Sequence, residues 1–195
     1  NVPQGPQHMK IFALYFKILL TKKPEWLDKF IKKYFEPVDL HVTLIQPRYI
    51  DERQIDVLKA KVAEIVNKTI IENEDKKVNF KDLVVDKESD GTYTFMLNCH
   101  NNDFLIAFQE ELKLALKDHS EYVDNVTEEY EINFKPHLTI AVNLDEQKRE
   151  EAAEYFTAGY EFEGQFGDLV LLIVNDQSAE ERNNEKNMTI FTFGT

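Results

Sequence analysis

A single cysteine, Cys99, leaves no partner for an intrachain disulfide and too few thiolates for a cysteine-based zinc site, which fits a reducing compartment. With six glycines and six prolines, the chain is neither linker-rich nor low in complexity. Positive charge is scarce. The 23 Lys and Arg stand against 36 Asp and Glu, a formal net charge of -13, so the diffuse attraction that draws basic proteins onto long duplex nucleic acid is not expected. No apolar run approaches the roughly 18 residues of a membrane span, and no charged-then-apolar leader is present. The expectation is a cytoplasmic protein with no membrane partner, whose lone cysteine is a core residue.

What is there is the profile of a folded globule. The sequence is 43% hydrophobic and 30% charged, and 195 residues suit one domain with a core between two layers. Residues 1–9 carry no hydrophobic pattern, and their Gly-Pro resembles the scar of a cleaved tag. We assign them to a leader, set His8 aside with them, and take residues 10–195 as a single domain.

Along that domain, Lys10 to Leu20 is aromatic and β-branched and predicts a buried strand. Pro24 opens a short helix in which Trp26, Phe30 and Tyr34 recur at helical spacing. Leu40 to Gln46 alternates as a strand that Pro47 should end. Asp51 then caps an amphipathic helix carrying Ile55, Leu58, Val62 and Ile65 on one face. A hairpin follows, Val78 to Val85 and Thr92 to Cys99 about a Ser89-Asp90-Gly91 turn, and then a helix from about Asn102 to Lys117. The acidic stretch Asp118 to Glu131 reads as a loop able to cover a cleft. His137 to Leu144 is a strand, Asp145 to about Ala158 a helix, and Tyr160 to Phe162, Asp168 to Asn175 and Met188 to Phe193 further strands. The polar loop between the last two reads as exposed. The pattern is α+β, with helices covering the outside of sheets.

The two halves share a motif. DLHVTLIQP at Asp39 to Pro47 aligns without gaps to KPHLTIAVN at Lys135 to Asn143, His on His and Thr on Thr. Because side chains alternate along a strand, His41 and Thr43 share one face while Leu40, Val42 and Leu44 fill the other; His137 and Thr139 repeat the pattern against Leu138 and Ile140. If the apolar faces are buried under helices, both His-Thr pairs face a common cleft. Two imidazoles there supply what phosphoester cleavage needs at neutral pH, a base for the attacking water and an acid for the departing oxygen. The threonine hydroxyls are suited to donate to the non-bridging phosphoryl oxygens. The scheme calls for no metal and no other cofactor, and no His/Asp/Glu cluster has a recognised ligand spacing.

His41-Val42-Thr43-Leu44 and His137-Leu138-Thr139-Ile140 resemble the paired H-x-T-x motifs of the two-histidine (2H) phosphoesterase superfamily, which includes bacterial RNA 2′,3′-cyclic phosphodiesterases once named 2′-5′ RNA ligases. The opening strand and helix resemble that family's too, so the resemblance covers most of Lys10 to Phe193. It implies a bilobal, pseudo-twofold α+β fold with two antiparallel sheets lining a central cleft and helices outside. It also implies that His41 is the acid and His137 the base, roles that exchange with the substrate. Many bacterial relatives place an arginine soon after the second motif; here Ile140, Ala141, Val142 and Asn143 follow Thr139. Arg48, Lys17 or Lys135 are the candidates to supply that charge. For a base-stacking wall the candidates are Tyr15, Tyr93 and Phe95, on strands expected beside the motif strands. His100 and His119 lack a Thr two residues on and are read as surface residues.

The expected function is metal-independent hydrolysis of a 2′,3′-cyclic phosphate or 2′-5′ linkage in a nucleotide or short RNA, by a monomer. Ligation, a cyclic dinucleotide phosphodiesterase and a nucleotide-binding regulatory module without useful turnover are the alternatives.

Overall fold

The computed structural model describes residues 8–35, 39–72, 74–101, 103–157 and 159–193. Residues 1–7 of the assigned leader lie outside the described residues, but Met9 already opens the first strand, opposite Asp51. The order is β1 (Met9–Lys22), α1 (Leu27–Tyr34), β2 (His41–Asp51), α2 (Ile55–Lys68), β3 (Lys77–Lys87), β4 (Tyr93–His100), α3 (Asp103–Ala115), α4 (Asn125–Ile132), β5 (His137–Leu144), α5 (Glu146–Glu154), β6 (Phe162–Val174), α6 (Ala179–Asn183) and β7 (Met188–Phe191).

Among the described residues, every strand pairing in the sheet is antiparallel, in the order β2-β1-β6-β3-β4-β5, with β7 also on β6. The order reads as two three-stranded halves, β2-β1-β6 and β5-β4-β3, related by a pseudo-twofold at the β6-β3 junction. The two antiparallel sheets are thus joined through β6, where Glu163 to Gln165 pair with both β1 and β3. Of the two strands expected separately at 160–162 and 168–175, Phe162 opens this one strand and Asp168 to Val174 complete it, while Tyr160 and Glu161 precede it. Its glycines sit where β1 comes close: a Cβ on Gly164 would lie 3.0 Å from the Leu19 carbonyl oxygen. The strands at the two ends of the order, β2 and β5, come back against each other, which curls the sheet.

One face of that sheet carries the main core. Phe12, Phe16, Val42, Leu44, Phe80, Phe95, Leu97, Leu138 and Ile140 pack there with Leu58 and Val62 of α2, Phe108 and Leu112 of α3, and Phe30 of α1. Cys99 is buried in the same cluster, and burial pushes its thiol up to about 12. The opposite face holds a smaller cluster of Ile11, Tyr15, Val170, Leu172 and Val174. Among the described residues no helix is long and apolar enough to cross a membrane.

Two local departures from the sequence pattern affect the motif strand. Pro47 does not end β2, which continues to Asp51 through register shifts against β1 between Phe12 and Tyr15. At the end of the strand order, a missing N–H in an irregular stretch costs no ladder bond. The acidic segment read as a loop contains α4, capped by Asp124, whose carboxylate accepts from the Val126 N–H at 3.0 Å. Its anchor is internal: Glu131, 1% exposed, accepts from the guanidinium of Arg48, 3% exposed, at 2.7 Å. Arg48 also donates to the His119 carbonyl and the Tyr122 hydroxyl, and so ties the whole 116–131 segment to β2. Removing one partner of a buried pair strands the other charge. Glu131→Ala should therefore cost roughly 3 kcal/mol in urea unfolding, and Glu131→Gln less; equal stability of wild type and Glu131→Ala would show that the pair does not anchor α4.

Candidate active site

The motif residues lie on the sheet face away from the helices, as alternation requires. Val42, Leu44, Leu138 and Ile140 are all within 1% of complete burial, whereas His41, Thr43, His137 and Thr139 are half-buried. The pseudo-twofold holds at the level of single hydrogen bonds. Lys17 and Tyr15 of β1 stand opposite His41 and Thr43, and Asn98 and Met96 of β4 opposite His137 and Thr139. The Ile18 N–H donates to the Leu40 carbonyl at 2.9 Å, and the Cys99 N–H to the Pro136 carbonyl at 2.9 Å, so the residue before each histidine is held alike.

Each imidazole is oriented by its own chain. His41 Nδ1 lies 2.8 Å from the Asp39 carbonyl oxygen, and His137 Nδ1 3.1 Å from that of Lys135. A carbonyl only accepts, so Nδ1 carries the proton in both rings and Nε2 is left for chemistry. A neutral ring then offers a lone pair at Nε2, and a charged ring a proton at the same atom.

Both rings hold protons less tightly than free imidazole, chiefly because burial penalises the charged form. Their neighbours differ. For His41 the bond to the Asp39 carbonyl and the Asp39 carboxylate favour the charged form, and the positive charges of Arg182 and His137 oppose it; His137 is helped to stay charged by its bond to the Lys135 carbonyl and by Asp86. His137 acts electrostatically on His41, and the strands that carry the two rings lie against each other.

Two cavities adjoin the motifs. One, of about 180 Å³, is lined by His41 and Thr43 together with Tyr15, Gln46 and Arg182. The other, of about 500 Å³, is lined by His137 with Met96, Asn98, Asp86 and α4 residues. Tyr15 packs against His41 with ring centroids 4.7 Å apart; its hydroxyl contacts Met188 Sδ at 3.9 Å, and burial pushes it up to about 12.

Of the other residues singled out from the sequence, three do not face this site. Phe95 is fully buried between Phe30 and Phe156, because odd positions of β4 point under the helices. Tyr93, on the same face, donates to Glu146 at 2.8 Å and lies under the Arg149 guanidinium. Arg48 is an even position of β2 and is engaged by Glu131 in the interior. Lys17 pairs with Asp39 at 3.4 Å, and Lys135 lines the larger cavity. His100 pairs with Asp82 at 2.9 Å and His119 sits beside Lys61; neither lines either cavity. The cation beside His41 is Arg182, in the polar segment read as a solvated loop. Ser178 caps α6 and Glu181 accepts from Asn175 and Asn187, which shapes that segment around the arginine. Its signal in the sequence was only a basic residue in an acidic loop. Among the described residues, no group of three or more His, Cys, Asp or Glu is placed to hold a metal ion.

A family model described as the 2′-5′ RNA ligase superfamily matches residues 22–177. No curated protein matches the chain. Two solved structures of Usb1 from Kluyveromyces marxianus, one of them with uridine monophosphate, are similar at TM-scores of 0.48 and 0.45; in each case identity is 11% and the alignment covers 85% of this chain and 95% of the other.

The asymmetry of charge around the rings makes a specific prediction. Arg182→Ala should raise the titration midpoint of His41, followed by proton NMR of the imidazole, and move His137 less. An unchanged His41 midpoint would mean that Arg182 does not act on that ring.

Proposed function

The chain belongs to the 2′-5′ RNA ligase superfamily, and from that premise we propose that it is a metal-independent phosphodiesterase acting on a 2′,3′-cyclic phosphate or 2′-5′ linkage of a nucleotide or short oligonucleotide. The observation that carries this reading is the repeated hydrogen bond from Nδ1 to the carbonyl two residues back, which leaves two Nε2 atoms in one tautomer on two strands that lie against each other.

On a cyclic phosphate, one Nε2 takes a proton from water as the oxygen attacks phosphorus. The P–O2′ bond breaks, the other imidazolium gives its proton to O2′, and a 3′-phosphomonoester leaves. Thr43 and Thr139 donate to the non-bridging oxygens, whose charge grows in the transition state. Tyr15 backs the His41 ring, and Arg182 supplies positive charge for the phosphate on that side. The high net negative charge of the protein favours short substrates gripped in the cleft over long duplexes.

The neighbours of the rings favour the reverse of the roles implied by the family resemblance. Asp86 favours the proton on His137, whereas on His41 the charge of Arg182 opposes it and that of Asp39 favours it; on that imbalance we take His137 as the acid and His41 as the base for ring opening. With a p-nitrophenyl ester, whose leaving group needs no proton, the variant lacking the acid should recover much of its rate. We expect that recovery in His137→Ala and not in His41→Ala; the opposite result would restore the first assignment.

On natural substrates in EDTA, either His→Ala variant should lose about 10²–10⁴-fold in rate. Thr43→Ala or Thr139→Ala should lose on the order of 10²-fold. A histidine variant with wild-type turnover would remove that residue from the mechanism. Because burial lowers both rings from 6.5, the form with one neutral and one charged imidazole is most populated below that value. The profile of kcat/KM, which reports the free enzyme, should therefore be a bell with its maximum below pH 6.5. A maximum above pH 7.5 would contradict the burial argument.

A further inference from the structure

The two cavities differ in charge and in wall chemistry, and the difference gives the cleft a direction. Beside His41 stands Arg182. Beside His137 stand two carboxylates, Asp86 and Glu129, against a single cation, Lys135. A second phosphate is disfavoured in such a cavity, whereas a group rich in N–H donors is drawn to it.

Its size and walls suit a nucleobase. At about 500 Å³ it falls within the range of small-molecule sites. Its floor is Val84 and Met96, paired across β3 and β4 in the row that continues to Thr139. Its wall is one face of α4, where Val126 and Tyr130, four residues apart, are 60% and 45% exposed. An aromatic ring exposed over an apolar floor beside a reactive group is a stacking surface. Tyr130 and Asp86 line the same cavity, and burial together with the nearby Asp86 carboxylate pushes the Tyr130 phenol up. Asn98 stands opposite His137 on β4 and adds an amide to the same floor.

The polar pattern selects among bases. A carboxylate with two acceptor oxygens matches two adjacent N–H donors, which guanine presents at N1 and N2. Uracil offers one N–H flanked by two carbonyl oxygens, and adenine sets a bare ring nitrogen beside its amino group; both point lone pairs at the acid. We propose that the cavity on the His137 side is a nucleobase subsite that prefers guanine, with Asp86 reading the N1–H and N2–H edge, Asn98 available to O6, and Tyr130 stacking on the ring. The reading rests on the phosphodiesterase proposal for the chemistry but not for the binding.

The test is the ratio of kcat/KM for guanosine 2′,3′-cyclic phosphate to that for the uridine compound, in wild type and in Asp86→Asn. Asp86 also acts on His137, but that effect is common to both substrates and cancels in the ratio. Wild type should favour guanosine roughly 10- to 100-fold, the scale of a bidentate base contact, and Asp86→Asn should bring the ratio near unity. Tyr130→Ala should weaken both substrates alike, about 10-fold, as loss of a stacking partner does. A wild-type ratio near unity, or a ratio untouched by Asp86→Asn, overturns the proposal. If neither the cyclic phosphates nor a 2′-5′ linked dinucleotide is cleaved, the phosphodiesterase reading fails, and calorimetry with guanosine and uridine 3′-monophosphates still reads the subsite. Tighter guanosine binding that depends on Asp86 upholds it; equal binding, or none, sinks it.

Discussion

Everything at this site depends on the two-residue period of a β-strand under a one-sided core. Val42 and Leu44 on β2, and Leu138 and Ile140 on β5, must be buried beneath the helices. The residues between them then have no choice of face. A register slip of one residue would turn His41 and Thr43 into the core and leave imidazole and hydroxyl groups without solvent. Burial of the apolar set therefore positions the His-Thr pairs, and the curl of the sheet brings the two strands that carry them against each other.

Orientation is a second layer, and it is local. Each histidine bonds the carbonyl two residues back in its own chain, so the tautomer is set by the stretch leading into the motif strand and not by a distant acid. What the rest of the protein contributes is charge. Arg182, on α6, and Asp86, at the end of β3, act on different rings. Two nearly identical motifs thereby sit in different electrostatic surroundings, and the proposed division into one acid and one base rests on that difference.

Much of this was legible in the residues. Alternation in LHVTLIQ and HLTIAV predicted the faces, and the periodicity of Ile55 to Ile65 predicted α2. The duplicated tripeptides predicted that both His-Thr pairs would face away from the main core. What failed did so for identifiable reasons. Phe95 and Tyr93 were chosen for being aromatic near the motif, whereas strand parity sends them under the helices. Arg48 was chosen for its charge, although it shares parity with Leu44. The helix α4 was hidden because its burial rests on one ion pair, Glu131 with Arg48, and not on an apolar stripe. The continuity of β6 was masked by Gly164 and Gly167, which read as a break and serve to let β1 approach. Arg182 had no pattern at all, because only the fold brings α6 to His41.

The central claim is that both imidazoles meet one phosphoryl group. The most direct test is to follow the Nε2 resonances of His41 and His137 by nitrogen-15 NMR while adding a nucleoside 3′-monophosphate at constant pH. The account predicts that a single equivalent raises the proton affinity of both rings along one binding curve. A response confined to one ring, or two curves with different midpoints, would contradict it.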